Sequence, residues 1–196
     1  MRKIFLPALM SGWLLAACAA PDMPQTASWQ PEREIADFAA EGRLAVNVDG
    51  KGYYANFDWA WQNGVQTIDI NTPLGNTLGS LCQDKIGVLA ANSNGEVFYA
   101  DSPQTLSRKL LGFALPLEHL NAWANGYWTA SLPHQVNADG SLQQADWRIE
   151  RSVGADGQWK SLTAENPKLS MKLVFSDVQS GRQEDAPEQC EARTAK

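Results

Sequence analysis

Cysteine and histidine are scarce in this chain, which has three cysteines and two histidines among its 196 residues. Beyond Cys18, the soft metal-ligand candidates are Cys82, Cys190, His119 and His134, and their positions match no metal-ligand spacing. The sequence therefore predicts no metal site.

Basic residues are also few, with 16 Lys and Arg against 22 Asp and Glu. Removing the first 17 residues takes away Arg2 and Lys3, so 14 basic and 22 acidic residues leave a net charge of −8. Because the chain is acidic and has no basic stripe, we expect no binding to nucleic acid. Anionic lipid would not attract it by charge either, so any membrane contact must be apolar or covalent.

Catalytic signatures are missing as well. The sequence contains no phosphate-binding loop, and neither His119 nor His134 has an acidic or thiol partner at a suggestive spacing. Residues 75–79 imitate a nucleophile elbow, with Thr77 in place of serine. That motif requires a strand-to-helix turn, whereas this segment opens a predicted strand. We therefore predict a protein that is not an enzyme and uses no cofactor.

The amino terminus has one apolar run, from Ile4 to Leu15, which follows Arg2 and Lys3. It is about half of the roughly 20 residues that a membrane-spanning helix needs. A positive start, an apolar run and small residues are typical of a secretory signal peptide, predicted here over residues 1–17.

The signal peptide ends in Ala16 and Ala17, which are followed by Cys18. This ending resembles a bacterial lipobox, in which Cys18 is acylated and becomes the first residue of the mature protein. The alternative is an ordinary signal peptide with an incidental cysteine. Ala19 is not the aspartate that signals inner-membrane retention in such lipoproteins. The resemblance therefore implies a lipid-anchored protein on the periplasmic face of the outer membrane.

Composition divides the mature chain into three parts. Residues 18–31 are rich in Pro, Ala, Gln, Ser and Thr, so we expect a flexible, lipid-anchored linker. Residues 32–176 form the folded domain, and residues 177–196 are polar and predicted to be disordered. Export permits a disulfide between Cys82 and Cys190, but the sequence leaves the pairing open.

Alternating apolar residues between turn signals predict antiparallel strands. The six turn dipeptides are Asp49-Gly50, Asn63-Gly64, Asn94-Gly95, Asn125-Gly126, Asp139-Gly140 and Asp156-Gly157. Nine to eleven strands are expected, and one sheet of that size usually curls or closes.

Helical spacing interrupts the strand pattern after Ser102-Pro103 and after Pro116, and a third helix is expected over 29–40. The helices must cover the single apolar face of the sheet. The fold predicted is mainly β, an incomplete antiparallel barrel of about 11 strands with helices as a lid. Its aromatic inner face encloses either a packed core or an apolar cavity.

Four stretches in order and spacing resemble the LolB family, from residue 18 to about 176. They are the lipobox with Ala19, the segment 38–59 (Phe-Ala-Ala-Glu-Gly-Arg-Leu-Ala-Val leading to Tyr-Ala-Asn-Phe-Asp-Trp), the Pro-Leu-Gly loop within 68–75, and residues 110–126. The family fold is an incomplete antiparallel barrel lidded by helices, in agreement with the strand pattern.

The resemblance implies a monomeric receptor that takes acylated lipoproteins from the soluble periplasmic carrier LolA. It would insert them, without ATP, into outer-membrane phospholipid of the inner leaflet. The implied membrane-insertion loop is Pro73, Leu74 and Gly75. The implied acyl-binding cavity is lined by Leu44, Val46, Tyr53, Phe57, Trp59, Ile68, Ile70, Tyr99, Leu111, Trp123, Trp147 and Phe175. The alternative is a lipid-anchored structural or assembly protein with a packed core.

Overall fold

The structure, a computed structural model, describes residues 25–26, 28–111 and 113–191. The predicted signal peptide, Cys18 and Ala19 lie outside the described residues, as does the side chain of Leu111.

Strands dominate the described residues. They are β1 (Gln25–Thr26), β2 (Gln30–Pro31), β3 (Phe38–Val48), β4 (Lys51–Gln62), β5 (Val65–Asn71), β6 (Thr77–Asp84), β7 (Gly87–Asn92), β8 (Val97–Ala100), β9 (Tyr127–Trp128), β10 (His134–Val136), β11 (Leu142–Gln144), β12 (Trp147–Val153), β13 (Trp159–Glu165) and β14 (Leu169–Ser180). The two helices are α1 (Pro103–Leu111) and α2 (Leu120–Ala124).

Eleven strands form one antiparallel sheet in the order β10-β11-β12-β13-β14-β3-β4-β5-β6-β7-β8. β1 adds to β12, and β2 pairs with β9 in a separate two-stranded sheet. β8 and β10 are the two ends of the path and do not pair with each other. The predicted incomplete barrel of about 11 strands is therefore confirmed.

Tight turns connect neighbouring strands at five of the six predicted dipeptides, whereas Asn125-Gly126 follows α2. Asn63 and Gly64 both have positive φ, at 55° and 77°, and Asp49 and Gly50 do too, at 50° and 81°. Two consecutive positive φ values match the twist of antiparallel strands, which explains why Asn-Gly and Asp-Gly pairs occupy these turns.

The concave face of the sheet is formed by one set of alternating side chains. In β4, Phe57 and Trp59 lie on this face. Phe57 pairs with Gly42 of β3, and Trp59 pairs with Ile68 of β5. A Cβ at Gly42 would collide with the backbone of Val174 and approach the Phe57 ring. Glycine is therefore required where β14, with its bulge after Phe175, crowds β3.

The two helices cover separate parts of the concave face. α1 begins as predicted, since the Ser102 Oγ accepts a hydrogen bond from the Thr105 N–H at 3.2 Å. Its fully buried Leu106 packs with Val88 and Ala90 of β7. α2 contributes the fully buried Trp123 to the main core.

The amino-terminal segment corrects two predictions. Residues 29–40 form no helix but contain β2, an irregular segment over 32–37 and the start of β3. The predicted linker 18–31 is not a free tether over its described part, because Trp29 is buried and donates from Nε1 to the Gly140 carbonyl at 2.9 Å. Gln30 N donates to the Gly126 carbonyl at 2.9 Å. The buried Trp29 side chain therefore attaches to the domain a segment whose other residues are mostly small or polar.

The carboxyl-terminal segment corrects another prediction. β14 continues to Ser180, past the predicted domain end at 176. A disulfide joins Cys190 to Cys82, across a sequence separation of 108 residues. The predicted disorder of 177–196 is therefore wrong for the described residues up to 191, because a covalent bond and backbone pairing hold a segment of polar composition.

Candidate functional site

The predicted cavity residues mostly share the concave face. Nine of the twelve belong to or pack against one apolar cluster: Leu44, Val46, Phe57, Trp59, Ile68, Ile70, Trp123, Trp147 and Phe175. They come from β3, β4, β5, β12, β14 and α2. The sheet therefore brings together residues that are up to about 130 positions apart in the chain.

Aromatic rings fill the centre of this face. The Phe38 and Trp59 ring centroids are 5.1 Å apart in an edge-to-face arrangement, and Trp159 lies 5.4 Å from Phe175. Phe57 and Trp59 are each only 2% exposed. Sequence reasoning missed Phe38 and Trp159 as members of this cluster. Phe38 continues the alternation of β3, and Trp159 follows the Asp156-Gly157 turn, so both signals were present.

Tyr99 does not lie on the concave face, and its predicted place in the cavity is wrong. Within β8, Phe98 pairs with Ala90, whereas Tyr99 pairs with Leu89 on the opposite face. That convex face is also apolar here, because Cys190 packs against Val65 and Leu89. When both faces of a short strand are apolar, the sequence does not show which alternating residues lie on the concave face.

Tyr53 keeps the predicted face but not the predicted burial. It shares the alternation of Phe57 and Trp59, yet it lies near the start of β4 and is 54% exposed. It therefore stands at the rim of the concave face instead of on its floor.

The concave face is filled by side chains in this conformation. A depression of about 250 Å³ lies at one end of the strands, bordered by Phe38, Trp159 and Asn125 among others. Another, of about 300 Å³, lies on the convex face beside Asp58 and Asp69. Pockets for drug-sized ligands usually measure about 300–1,000 Å³.

Three buried polar atoms of the described side chains have no hydrogen-bond partner: Trp59 Nε1, Gln66 Nε2 and Asn121 Oδ1. Gln66 and Trp59 share the concave face in adjacent strands, and Asn121 Nδ2 donates to Gln66 Oε1 at 3.1 Å. Each unmatched polar atom costs roughly 1–3 kcal/mol. The contact between α2 and β5 thus includes an amide pair that is only half satisfied.

The Pro73-Leu74-Gly75 loop connects β5 to β6. Gly75 N donates to the Thr72 carbonyl at 2.9 Å, and Thr72 N donates to the Asn76 carbonyl at 2.8 Å. Gly75 has a φ of 86°, so the loop is a turn closed by a residue in the left-handed region. This geometry leaves the Leu74 side chain 89% exposed.

Titratable side chains form no catalytic arrangement in the part of the chain that the structure describes. Burial lowers the pKa of His119, whose imidazole contacts Glu118 and Thr129. Burial and the neighbouring Asp58 carboxylate raise the pKa of Asp69 on the convex face. Thr77 stands at the start of β6, within a hairpin, so residues 75–79 do not form a nucleophile elbow.

Within residues 25–26, 28–111 and 113–191, no group of three His, Cys, Asp or Glu residues is placed to hold a metal ion. Neither described helix has the length and apolar character needed to cross a bilayer.

Comparison with known proteins identifies a family for this chain. A family model described as outer membrane lipoprotein LolB matches residues 36–177. The chain is 46% identical to the outer-membrane lipoprotein LolB of Neisseria meningitidis, over 92% of this chain and 93% of that relative. It is 33% identical to the protein of the same name from Chromobacterium violaceum, over 91% of this chain and 99% of the relative.

Among solved structures, the chain is similar to a LolA superfamily protein from Nitrosomonas europaea. The TM-score is 0.42 at 8% identity, over 76% of this chain and 88% of the other. The family match and the two relatives cover nearly the whole described domain, so this chain belongs to the LolB family of outer-membrane lipoproteins.

Proposed function

We propose that this protein accepts acylated lipoproteins from the soluble periplasmic carrier LolA and inserts them, without ATP, into the inner leaflet of the outer membrane. As a LolB-family member it is a lipid-anchored outer-membrane protein facing the periplasm, and it is not an enzyme. The observation that carries the proposal is the continuous apolar concave face beneath two small helices.

Cys18 is the proposed anchor. Acylation there would hold the domain at the membrane surface. Mass spectrometry of the amino-terminal peptide of the mature protein should find an acylated Cys18. An unmodified Cys18, or a mature chain that begins elsewhere, would contradict the proposed anchor.

Binding of acyl chains would require the helices to shield the apolar concave face from water and still allow the chains to enter. Each buried CH₂ is worth about 0.8 kcal/mol, so three acyl chains exposed to water would cost tens of kcal/mol. Passage from one apolar site to another avoids that state. The direction of transfer then needs only a better apolar fit in the receptor and a bilayer as the final acceptor.

The boundary between α2 and β5 is the proposed entry point. α2 is held towards β11, where Trp123 Nε1 donates to Gln144 Oε1 at 3.0 Å. Towards β5 it makes the amide contact of Asn121 with Gln66, in which one donor and one acceptor are unmatched. Separation on the β5 side would expose Trp59 and Ile68 while the β11 side acts as a hinge.

Leu74 is the proposed membrane-insertion residue. Its side chain gains roughly 1.5–3 kcal/mol on moving from water into lipid, which is too little to anchor a protein by itself. An acyl anchor already supplies attachment, so this gain can bias the bilayer contact that discharges cargo. The nearly complete exposure of Leu74 at a turn tip supports this role.

A stepwise transfer assay without nucleotide tests the proposal. Loaded carrier is mixed with the receptor, and the receptor with its cargo is then mixed with liposomes. We expect both transfers to proceed without ATP. A requirement for ATP would contradict the mechanism. Failure to bind either lipoprotein or a fluorescent fatty acid would favour the structural protein with a packed core.

A further inference from the structure

We propose that the tip of the β3–β4 hairpin, residues 51–54, is a second membrane-contact element that seats Tyr53 and Tyr54 in the interfacial layer of the bilayer. The inference rests on the proposed function, because delivery requires this protein to meet a bilayer. It names a contact beyond the loop that carries Leu74. We call residues 51–54 the hairpin tip.

Strand register places the hairpin tip beside the Leu74 loop. β5 ends at Asn71, which pairs with Asn56 of β4. Residues 51–55 of β4 therefore extend beyond β5, by about 17 Å at about 3.3 Å per residue. The loop after β5 runs next to this extension, where Asn56 Nδ2 donates to the Thr72 carbonyl at 3.5 Å.

The hairpin tip exposes an aromatic ring on each of its two faces. Tyr53 is 54% exposed and follows the concave-face alternation of Phe57. Tyr54 is 80% exposed on the convex side. Its ring lies against Gly52, because a Cβ at Gly52 would be 3.4 Å from that ring. Leu78, at the start of β6, is another exposed apolar side chain at this end of the strands.

A bilayer is the occupant that fits this arrangement. A protein partner docked on one face of the sheet would cover one of the two rings, whereas lipid can surround the tip on both sides. Tyrosine has an apolar ring and a polar hydroxyl, and it is enriched where membranes meet water. Lys51 extends from the same tip, where lipid phosphates would surround its ammonium group. The protein is also already held at a membrane by its lipid anchor.

The hairpin tip also continues the apolar surface of the proposed acyl site. Trp59, Phe57 and then Tyr53 follow one another along a single face of β4. Acyl chains that leave the concave face along β4 would meet Tyr53 at the rim. A seated hairpin tip would therefore join the acyl site to the bilayer without an intervening layer of water.

Spin labelling measures the contact directly. The full chain carries Tyr54→Cys, labelled with a nitroxide, and a second preparation carries Ile86→Cys. Ile86 is a matched control, since it is 69% exposed at a hairpin turn on the opposite end of the strands. On vesicles of phosphatidylethanolamine and phosphatidylglycerol, we expect the label at 54 to become more accessible to oxygen and less accessible to a water-soluble nickel complex. The label at 86 should not change.

Transfer assays then connect the contact to delivery. The variant Tyr54→Ser should deliver cargo to liposomes about tenfold more slowly, equivalent to about 1.4 kcal/mol. Uptake from the carrier should stay within twofold, because Tyr54 lies on the convex alternation of β4, away from the acyl site. Ile86→Ser should alter neither step.

Several results would overturn the inference. A water-exposed label at 54 on vesicles would do so, as would unchanged delivery by Tyr54→Ser. Loss of uptake as well as delivery would mean that the hairpin tip binds the carrier or is needed for folding, and not that it contacts the membrane. If the unmodified protein takes up no cargo, the proposed function fails. The label at position 54 then still decides whether the hairpin tip meets lipid.

Discussion

The two ends of the barrel strands differ in the side chains and contacts that they carry. At one end, here called the tied end, the start of β3, the β4–β5 turn and the chain after β14 are held together. At the other, here called the apolar end, the hairpin tip, the Leu74 loop and the start of β6 expose large apolar side chains. Because antiparallel hairpins turn alternately at the two ends, one sheet can carry both. The long-range polar contacts of the tied end are therefore separated in space from the hairpin tip and the Leu74 loop, the two proposed membrane contacts.

Polar contacts converge on the tied end. Arg182 Nε donates to Asp37 Oδ2 at 2.8 Å, and Asn63 N donates to Asp37 Oδ1 at 3.0 Å. Gln62 Nε2 donates to the carbonyls of Phe38 and Gly181. These contacts join three separate parts of the chain, so loss of one member should loosen the others.

The largest effect on stability should follow removal of the disulfide. In the chain-entropy account, closing a loop of about 100 residues contributes about 4.7 kcal/mol. The Cys82–Cys190 bond encloses a comparable length. We expect Cys82→Ala with Cys190→Ala to lower the free energy of unfolding by about 4 kcal/mol, measured by urea denaturation. Reduction of the unmodified protein is the matched control, and a loss below about 1 kcal/mol would contradict this role for the tied end.

Next in size should be the loss of Trp29. A buried Trp replaced by Ala typically costs about 3–5 kcal/mol, and Trp29 is also bonded to the Gly140 carbonyl. We expect Trp29→Ala to cost about 3 kcal/mol and Trp29→Phe to cost less, both by thermal or urea denaturation. An unchanged free energy of unfolding would mean that the amino-terminal segment does not pack on the domain.

The contrast between the ends also shows what the sequence could predict. Alternation and Asn-Gly or Asp-Gly turns are local signals, so the antiparallel sheet and most of the concave face were predictable. The turn at Leu74 followed from Pro73 and Gly75, whereas the exposure of its side chain was implied only by the family resemblance. The membrane and cargo roles came from the family resemblance and are still proposals.

Features that depend on distant partners were not predictable. Trp29 occupies a segment with linker composition, and its partner Gly140 is 111 residues away. Cys190 lies in a polar segment and is held by Cys82. Tyr99 was assigned to the wrong face because both alternating faces of β8, Val97–Ala100, carry apolar side chains. For Trp29 and Cys190, a long-range contact overrides the local pattern.

A smaller effect should appear at Asp37 and depend on pH. The hydrogen bond from Arg182, with that from Asn63, holds the pKa of Asp37 below its usual value of 3.8. Because the pKa is lower in the folded state, the ionised Asp37 carboxylate stabilises the folded protein. This contribution is complete above pH 3.8 and is lost as the pH falls through the lowered pKa.

We expect Asp37→Asn to cost on the order of 1 kcal/mol at pH 7. The difference from the unmodified protein should shrink as the pH is lowered below 3.8. Urea denaturation of both proteins at pH 7 and pH 3 measures it. A difference that is the same at both pH values would show that the Asp37 charge is not responsible.

The smallest change in stability, and the most complete change in function, should come from Leu74→Glu. An exposed loop substitution alters the free energy of unfolding by about 0.5 kcal/mol or less. A carboxylate at this tip is disfavoured in lipid, so delivery should fail. Leu74→Ile, which keeps an apolar side chain, should behave nearly normally.

The most direct measurement follows cargo through both steps in one preparation each of Leu74→Glu and Ile86→Glu. These variants place the same charge on exposed turns at opposite ends of the strands. The account predicts that Leu74→Glu takes up lipoprotein from the carrier normally but accumulates it without delivery to liposomes, while Ile86→Glu completes both steps. Loss of uptake as well as delivery in Leu74→Glu, or equal delivery by the two variants, would contradict it.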